Sequence, residues 1–369
     1  MNMIYHRLKK NRERLRSFLS GGPHLEAYRL YDKDIPEYPY IVDVYKNCFL
    51  IYEKGKKDVG EELRKKHLDQ LIAALRELFS LGGSCNNNDS NNEIIIKTRQ
   101  TQDHENFQYE RLQNIKQYFP IIEGEAKFLV NLHDYIDTGI FLDHRPLRLR
   151  FYKEIEKDMK VLNLFSYTAS FSVVAALKGA QTVSVDWSKT YQNWAQENFK
   201  LNNISNISNT SNISNTSNSS IDNENHKFVV SDVITFLQEC QHKKDYNYYF
   251  DIIIIDPPTF SNSKKRKSLF ADRGYFDVQR DHLMLIKLAL PLLKKNTGKI
   301  FFSTNKRDFK LASDLLNEIT NEITNKDNND LGKIIIKDIT KQTIPADFRD
   351  PKIHYAYLIT QITQKTQTV

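Results

Sequence analysis

The sequence predicts a two-domain α/β protein with a mostly parallel, seven-stranded sheet and a smaller α+β domain before it. The main evidence is Phe250–Phe260, which contains four consecutive isoleucines, a run typical of a central strand buried on both faces. It ends at Asp256-Pro257-Pro258, where two prolines without amide hydrogens form a stiff loop. After Asp134, strands alternate with helices, which also indicates a parallel sheet. Ligands of such sheets bind at the carboxyl ends of the strands.

Composition and charge limit the class of protein. The 369 residues are 40% hydrophobic and 27% charged, as in an ordinary globular chain that is long enough for two domains. No apolar run reaches the length of a signal peptide or a membrane span, so we expect a cytoplasmic protein with no membrane partner. Cys48, Cys85 and Cys240 form no C-x-x-C pair, so we expect neither a disulfide framework nor a metal site. The formal net charge of +7 favours an anionic partner without identifying it.

The first domain is predicted over residues 1–135. Six Lys and Arg residues between Arg7 and Arg16 surround apolar side chains in a helix that Gly21-Gly22-Pro23 ends. This helix either lies along a phosphate backbone or presents a solvated face over a small core. The remaining predicted elements are a hairpin of Ile41–Tyr45 and Phe49–Tyr52, a helix over Glu61–Leu81, and strands over Glu93–Lys97, Phe119–Ile122 and Phe128–Leu132.

The second domain begins with a strand, a polar turn and a helix, an arrangement that presents backbone amides to a cofactor. The strand is Val161–Phe165, the turn is Ser166–Ser170 and the helix is Phe171–Lys178. The next strand, Thr182–Val185, leads directly to Asp186. A carboxylate at this position is placed to accept hydrogen bonds from ribose hydroxyls.

A third strand of this domain also ends at an acid. Lys227–Val230 leads to Asp232, which suits the neighbourhood of an adenine amino group. Before that strand, residues 202–220 are almost entirely Asn, Ser, Thr and Ile, and we expect a flexible low-complexity loop insertion within a domain that spans 136–369. The later elements are predicted as helices over Val233–Cys240, Asp277–Lys294 and Lys310–Thr320, and strands over Lys299–Ser303, Lys333–Ile339 and His354–Thr360, the last two forming an antiparallel edge.

The acids at the strand ends leave two classes of cofactor. The chain has no G-x-x-x-x-G-K-[ST] motif, so a P-loop is excluded. A nicotinamide or flavin dinucleotide would require G-x-G-x-x-G after the first strand, but Phe165–Ser170 contains no glycine. S-adenosylmethionine fits the same crevice, and Asp256-Pro257-Pro258 after the fourth strand favours it.

Three segments of the second domain resemble a known family. Leu162–Thr168, Asp256–Lys264 and Asp277–His282 are similar to the Rossmann-like class I methyltransferase domain that makes N7-methylguanine in 23S ribosomal RNA. In many bacteria that domain is the C-terminal half of a bifunctional rRNA guanine N2/N7 methyltransferase. The resemblance implies 23S rRNA or a large-subunit assembly intermediate as partner. The chain either stands alone or is a segment of a longer protein that also carries an N-terminal guanine-N2 methyltransferase half. It covers nearly the whole chain, including Tyr28–Asp32, Pro36–Tyr38, Lys97–Arg99 and Asp137–Arg145.

The resemblance also implies which residues bind S-adenosylmethionine. The implied cofactor-binding residues are Asn163, Phe165, Ser166, Tyr167, Thr168, Asp186, Trp187, Asp232, Val233 and Asp256, with a roof from Asp143 and Arg145. One departure from the family is Ala169, which stands where glycine is usual. Its methyl group reduces the backbone freedom of the turn without blocking it.

The cysteines distinguish two mechanisms of methyl transfer. Related enzymes with the same Asp-Pro-Pro loop methylate C5 of cytosine after a cysteine thiolate has added to C6. Here the loop after the fifth strand is Ser303-Thr304-Asn305 and Cys240 precedes the fourth strand, so covalent catalysis lacks its nucleophile. Guanine N7 has an in-plane lone pair and needs only alignment with the methyl group at about 3 Å. We therefore predict noncovalent in-line methylation of guanine N7, with a cytosine-C5 methyltransferase and a non-enzymatic RNA-binding module as alternatives.

The predicted catalytic residues are Asp256, Pro257, Pro258 and Phe260. Asp256 either stabilises the cationic purine of the transition state or anchors its own loop by accepting amide hydrogens. Phe260 either stacks on an extruded base or belongs to the core. The residues predicted to contact phosphate are Lys264, Lys265, Arg266, Lys267, Asn305, Lys306 and Arg307. The alternative is that these charged residues only form a solvated surface.

Overall fold

The structure, a computed structural model, divides into two compact units. The first unit comprises Met1–Leu142 and Pro345–Arg349, and the second comprises Asp143–Ile344 and Asp350–Val369. Within the described residues, no helix combines the length and the apolar character that a membrane span requires. The described residues are 2–54, 60–80, 93–98, 112–210, 225–242, 246–262, 275–313, 315 and 333–362.

The first unit is built on a four-stranded sheet in the order β1-β2-β3-β4. The strands are β1 (Ala27–Asp32), β2 (Tyr40–Tyr45), β3 (Cys48–Glu53) and β4 (Ile94–Thr98). β2 is antiparallel to β1 and β3, which confirms the predicted hairpin, whereas β4 is parallel to β3. The other elements of this unit are the helices α1 (Met3–Ser20) and α2 (Glu61–Phe79), which share a core with the sheet, and a hairpin of β5 (Phe119–Glu123) and β6 (Ala126–Val130).

Helix α1 has the amphipathic pattern that its sequence predicts. The Asn2 side chain accepts the amide hydrogen of Tyr5 at the start of the helix, and the Gly21 amide donates to the Ser17 carbonyl at its end. Leu8 and Leu15 are buried. Five Lys and Arg residues of the helix are exposed to solvent, namely Lys9, Lys10, Arg12, Arg14 and Arg16.

An eight-stranded sheet forms the second unit, in the order β15-β16-β14-β11-β7-β8-β10-β9. The six strands from β14 to β9 are parallel, and β16 is antiparallel to β14 and β15. The predicted fold class and the predicted antiparallel edge are therefore confirmed. The strands are β7 (Lys160–Leu164), β8 (Gln181–Asp186), β9 (Ile207–Thr210), β10 (His226–Val230), β11 (Ile252–Ile255), β14 (Lys299–Thr304), β15 (Lys333–Asp338) and β16 (Tyr355–Ile362).

The sheet has one strand more than the sequence predicts, because β9 lies within the tract that was expected to be a loop. β9 pairs in parallel with β10 at the edge of the sheet, where Ile207 lies opposite His226. An edge strand is held by backbone hydrogen bonds to one neighbour, and Asn, Ser and Thr carry the same backbone groups as any other residue. The polar composition therefore does not prevent pairing there. The rest of the tract, from residue 211, lies outside the described residues.

The isoleucine run occupies the centre of this sheet, as predicted. Ile252–Ile255 form β11, each residue is at most 1% exposed, and the strand pairs in parallel with β7 and β14. Burying one such side chain contributes about 1.5–3 kcal/mol, so the run strongly favours this position. The other elements of the unit are the helices α3 (Arg145–Glu154), α4 (Ser170–Leu177), α5 (Lys189–Leu201), α6 (Val233–His242), α7 (Val278–Ala289) and α8 (Thr340–Thr343), and a hairpin of β12 (Phe260–Asn262) and β13 (Tyr275–Asp277).

A buried histidine at the start of β10 makes this unit sensitive to acid. His226 is 5% exposed, its Nδ1 lies 3.1 Å from the Thr182 hydroxyl, and burial lowers the pKa of His226 to about 4. The unfolded chain, with an ordinary histidine pKa of about 6.5, binds the proton first as the pH falls. The free energy of unfolding is therefore highest above pH 6.5, and it falls by about 3 kcal/mol as the pH is lowered to 4.

We expect His226→Asn to flatten this pH dependence. Urea unfolding between pH 7 and pH 4 measures this dependence. The free energy of unfolding should change less steeply with pH in the variant, because no buried imidazole remains to be protonated. His24, whose side chain is 64% exposed, provides the control, since His24→Asn should keep the wild-type slope. A His226→Asn protein with the wild-type slope would contradict this assignment.

Candidate active site

The turn between β7 and α4 has an unusual backbone. Phe165, Tyr167 and Ala169 have φ angles of 56°, 51° and 60°, in the left-handed region. This conformation costs a residue with a side chain about 1–2 kcal/mol. Strain of this kind persists only where the surroundings impose it, and it is concentrated at ligand sites. The left-handed backbone at Ala169 also gives a physical reason why glycine is usual at this position.

Asp186, at the end of β8, fixes the shape of this turn. Its Oδ2 accepts the amide hydrogen of Tyr167 at 2.9 Å, and its Oδ1 accepts that of Ser188 at 2.8 Å. One carboxylate thus joins the turn after β7 to the start of α5. Trp187, the next residue, is 49% exposed.

Helix α5 supports the same turn from the other side. Gln192 Nε2 donates to the Ser166 hydroxyl at 3.1 Å, and Asn198 Nδ2 donates to the Thr168 carbonyl at 3.0 Å. All four residues are buried. The helix therefore positions two predicted cofactor-binding residues through side chains that the sequence did not single out.

Asn163 lies beneath the turn, with 2% of its surface exposed. Its Nδ2 donates to the Ser172 hydroxyl at 2.9 Å, which anchors the start of α4 to β7. Phe165 packs against Phe276 at a ring centroid distance of 6.0 Å. Both residues support the turn from the protein side.

Asp232 follows β10, the strand that pairs with β8. Val230 is paired with Asp186 in the register of these strands, so both acids lie at the same edge of the sheet. Asp232 Oδ1 accepts the amide hydrogens of Ile234 at 3.1 Å and Thr235 at 3.2 Å, and so caps α6. Val233, at the first position of this helix, is 3% exposed and belongs to the core.

Asp256 follows β11, on the other side of β7. Its Oδ1 accepts a hydrogen bond of 2.6 Å from the Ser303 hydroxyl at the end of β14. Among the described residues, no backbone amide donates to Asp256 and its Oδ2 receives no hydrogen bond, while its side chain is 20% exposed. Pro257 is buried and Pro258 is half-buried. The loop therefore presents one carboxylate oxygen at the sheet edge.

Phe260 forms part of a small aromatic cluster beyond this loop. It is half-buried, and its ring stacks on Tyr275 with a centroid distance of 5.0 Å and an interplanar angle of 23°. Tyr275 is 37% exposed, and the Arg280 guanidinium lies 4.8 Å from its ring centroid. The sequence did not indicate Tyr275, because only the pairing of β12 with β13 brings it to Phe260, and it assigned no role to Arg280 within Asp277–His282.

The predicted roof residues lie beside two histidines that sequence reasoning missed. Asp143 Oδ2 is 3.2 Å from His354 Nδ1 and 3.6 Å from His144 Nδ1, and His144 Nε2 is 3.5 Å from Asp256 Oδ1. Arg145 is 5% exposed at the first turn of α3. Asp143 and His354 are 211 positions apart, so no local pattern could have paired them.

The predicted phosphate contacts fall into two groups. Lys264, Lys265, Arg266 and Lys267 lie outside the described residues. At the end of β14, Asn305 accepts a hydrogen bond from the Thr259 hydroxyl at 2.5 Å, Lys306 is half-buried, and the Arg307 guanidinium pairs with Asp350. Asn305 therefore braces the Asp-Pro-Pro loop.

The chemistry of this edge fits a nucleoside with hydroxyl and amino donors. Carboxylates lie at the carboxyl ends of three parallel strands, with β11 on one side of β7 and β8 and β10 on the other, and they are Asp186, Asp232 and Asp256. Carboxylates accept hydrogen bonds, and ribose hydroxyls and an adenine amino group donate them. The residues present thus fit an adenosine group in the crevice.

Comparison with known proteins identifies the class of enzyme to which this chain belongs. Residues 63–287 match a family model described as S-adenosylmethionine-dependent methyltransferase, which is more than half of the chain. The chain belongs to this family, and its cofactor is S-adenosylmethionine. Among solved structures, SMU.776, a methyltransferase complexed with SAH, matches with a TM-score of 0.68 and 24% identity over 97% of this chain and 81% of that one. That likeness supports the fold.

The particular relatives are ribosomal RNA methyltransferases. The chain is 37% identical over 360 residues to ribosomal RNA large subunit methyltransferase K/L of Legionella pneumophila, which covers 97% of this chain and 43% of that protein. It is 38% identical over 356 residues to the protein of the same name from Shewanella loihica, covering 96% of this chain and 42% of that protein. The chain therefore spans about two fifths of the length of these curated relatives.

Proposed function

We propose that this chain methylates guanine N7 in 23S ribosomal RNA, either in the naked RNA or in a large-subunit assembly intermediate in the cytoplasm. The observation that carries the proposal is the 37% identity, across 97% of the chain, to a methyltransferase named for large-subunit ribosomal RNA. Because the relatives are longer, we also propose that a guanine-N2 methyltransferase half accompanies this chain in a longer protein.

The residues at the sheet edge have distinct roles in this proposal. Asp186 accepts hydrogen bonds from the ribose hydroxyls and Trp187 covers the nucleoside with its exposed indole. Asp232 and Val233 lie beside the adenine, and Asp143 and Arg145 close the crevice above the amino-acid end. The strained turn from Ser166 to Thr168 lies against the cofactor. The bound cofactor supplies an electrophilic methyl group on a sulfonium.

Asp256 is the catalytic residue in this account. Guanine N7 needs no general base, so the chain must hold the purine in line with the methyl group and stabilise the positive charge that develops on the ring. Because Ser303 occupies Oδ1, we assign Oδ2 of Asp256 the role of accepting a hydrogen from the base's donor edge and of offsetting that charge. Pro257 and Pro258 keep the carboxylate from moving, and Phe260 with Tyr275 offers a stacking surface to an extruded base.

The described cysteines favour noncovalent transfer over cytosine-C5 chemistry. Cys240 is 0% exposed within the core of the second unit. Cys48 belongs to the sheet of the first unit, and burial raises the pKa of its thiol, which disfavours the thiolate. We therefore expect Cys240→Ser to retain turnover.

The charged residues suit an RNA substrate. The basic face of α1 in the first unit is exposed, and we propose that it binds phosphates. In the second unit we propose the same role for Lys306, Arg307 and the run from Lys264 to Lys267. The alternative of a non-enzymatic RNA-binding module does not explain why carboxylates lie at the ends of these strands.

Transcripts that lack the acceptor atom test this function. We expect labelled methyl transfer from S-adenosylmethionine into a 23S rRNA transcript, and none into the same transcript made with 7-deazaguanosine, because that base has carbon in place of N7. A transcript made with 7-deazaadenosine is the matched control for altered purines and should accept methyl groups. Equal incorporation into the guanosine and 7-deazaguanosine transcripts would refute the proposal.

A further inference from the structure

A line of buried polar side chains runs from α8 to the Asp256 carboxylate. His354 is 0% exposed and His144 is 5% exposed, and their rings stack in parallel with a centroid distance of 5.0 Å and an interplanar angle of 7°. Asp143 lies at the Nδ1 edge of both rings, and Asp256 lies at the Nε2 edge of His144. The proposed function assigns no task to either histidine.

The far end of this line is firmly held. His354 Nε2 is 2.9 Å from the Thr343 hydroxyl, which donates to the Thr340 carbonyl at 2.9 Å in α8. His354 Nδ1 is 3.2 Å from Asp143 Oδ2. With both ring nitrogens engaged and no exposed surface, His354 provides a fixed plane against which His144 packs.

His144 transmits this rigidity to Asp256. Its Nδ1 is 3.6 Å from Asp143 Oδ2 and its Nε2 is 3.5 Å from Asp256 Oδ1, so the ring lies between two carboxylates at nearly equal distances. The 3.6 Å separation is too long for a hydrogen bond and the 3.5 Å separation is at its upper limit. Hydrogen bonds at catalytic sites are often longer before the substrate binds than in the complex. Ser303 holds the same Oδ1 at 2.6 Å. Two groups therefore converge on one oxygen of Asp256.

We infer that His144 is a positioning residue, which together with Ser303 fixes Asp256 Oδ1 so that Oδ2 is the oxygen presented to an N–H donor of the substrate base. This inference deepens the proposed function and rests on it. A carboxylate that could rotate would offer either oxygen in many orientations, whereas a fixed one acts as a single acceptor at one place. Alignment of this kind is what an in-line transfer to a ring nitrogen requires.

The same side chains raise the alternative of a metal centre. One ligand atom from each of Asp143, His144 and His354 lies within 4.8 Å of the others. An imidazole binds a metal ion through a lone pair in the plane of its ring, whereas these two rings are stacked with planes only 7° apart. Stacked rings cannot direct both lone pairs at one ion, so the arrangement favours the positioning role.

A double-mutant cycle between His144 and Asp256 tests the inference. The readout is total labelled methyl incorporation into rRNA, whichever atom receives the label. His144→Phe keeps a stacking ring and loses both ring nitrogens, and we expect kcat to fall about 10- to 100-fold with KM for S-adenosylmethionine nearly unchanged. In the Asp256→Asn background the same substitution should cost less than about 3-fold, because the carboxylate it positions is already lost. His144→Asn, which restores an N–H donor, should recover part of the activity.

A buried histidine at the opposite end of the strands is the matched control. His226, also 5% exposed, lies at the start of β10, and His226→Asn should retain wild-type incorporation at pH 7.5. If His144→Phe lowered kcat equally in the wild-type and Asp256→Asn backgrounds, His144 would have a merely structural role and the inference would be overturned. Full activity of His144→Phe would also overturn it. So would a metal-stripped wild-type protein whose activity Zn²⁺ alone restores. Wild-type incorporation at an atom other than guanine N7 would refute the proposed function and leave the result of the cycle valid.

Discussion

Asp256→Ala is expected to lower kcat for methyl transfer by about 100- to 1,000-fold, which is the size of effect seen when a group that stabilises developing charge is removed. The carboxylate is held by Ser303, is partly exposed and lies at the carboxyl end of the central strand. Phosphates supply most of the affinity for RNA, so the Kd for rRNA should change little. Single-turnover kinetics and filter binding on the same preparations measure the two quantities.

Asp251, which flanks the other end of β11, provides the matched control. Its carboxylate accepts the Lys160 amide hydrogen at 2.8 Å and pairs with Lys294 at 2.7 Å, so it belongs to the opposite edge of the sheet. Asp251→Ala should reduce stability and leave kcat close to that of the wild type. If Asp256→Ala weakened RNA binding as much as it slowed transfer, Asp256 would be part of the scaffold.

Asp186→Ala should raise the Kd for S-adenosylmethionine by about 100-fold, since it removes hydrogen bonds to a charged acceptor that contribute about 1.5–3 kcal/mol each. Two effects combine in this variant. The ribose loses its acceptor, and the amides of Tyr167 and Ser188 lose the carboxylate that shapes the turn. Isothermal titration with the cofactor measures the change.

The control for this variant is an acid on the surface of the same unit. Glu197 of α5 is 54% exposed and, among the described residues, forms an ion pair only with Lys200. Glu197→Ala should therefore bind the cofactor as the wild type does. Asp186→Asn keeps one carbonyl oxygen and should fall between the wild type and Asp186→Ala. An unchanged Kd in Asp186→Ala would remove Asp186 from the cofactor site.

The sequence predicted the features of the fold that depend on local pattern. The isoleucine run indicated the central strand because burial on both faces requires such residues, and the acids after Val185 and Val230 follow from where those strands end. The helix signals of α1 and α2 were equally local. These local signals locate the carboxyl ends of the parallel strands without any long-range information.

The features that escaped prediction depend on contacts between distant parts of the chain. β9 forms because it can pair with the edge of β10. His144 contacts His354 only after the residues directly before α3 and directly before β16 have packed together. The left-handed residues of the β7 turn are imposed by Asp186 and α5, against the preference of Ala169 for an ordinary backbone. Tyr275 joins Phe260 through a hairpin whose loop gives no recognisable signal. The strand ends that carry Asp186, Asp232 and Asp256 were thus predictable, while the contacts of Asp256 with Ser303 and His144 were not.

Mass analysis of the nucleosides in 23S rRNA, after methylation in vitro by this chain alone, tests the central claim most directly. The account predicts that the label from S-adenosylmethionine appears in N7-methylguanosine. Label in 5-methylcytidine would contradict it.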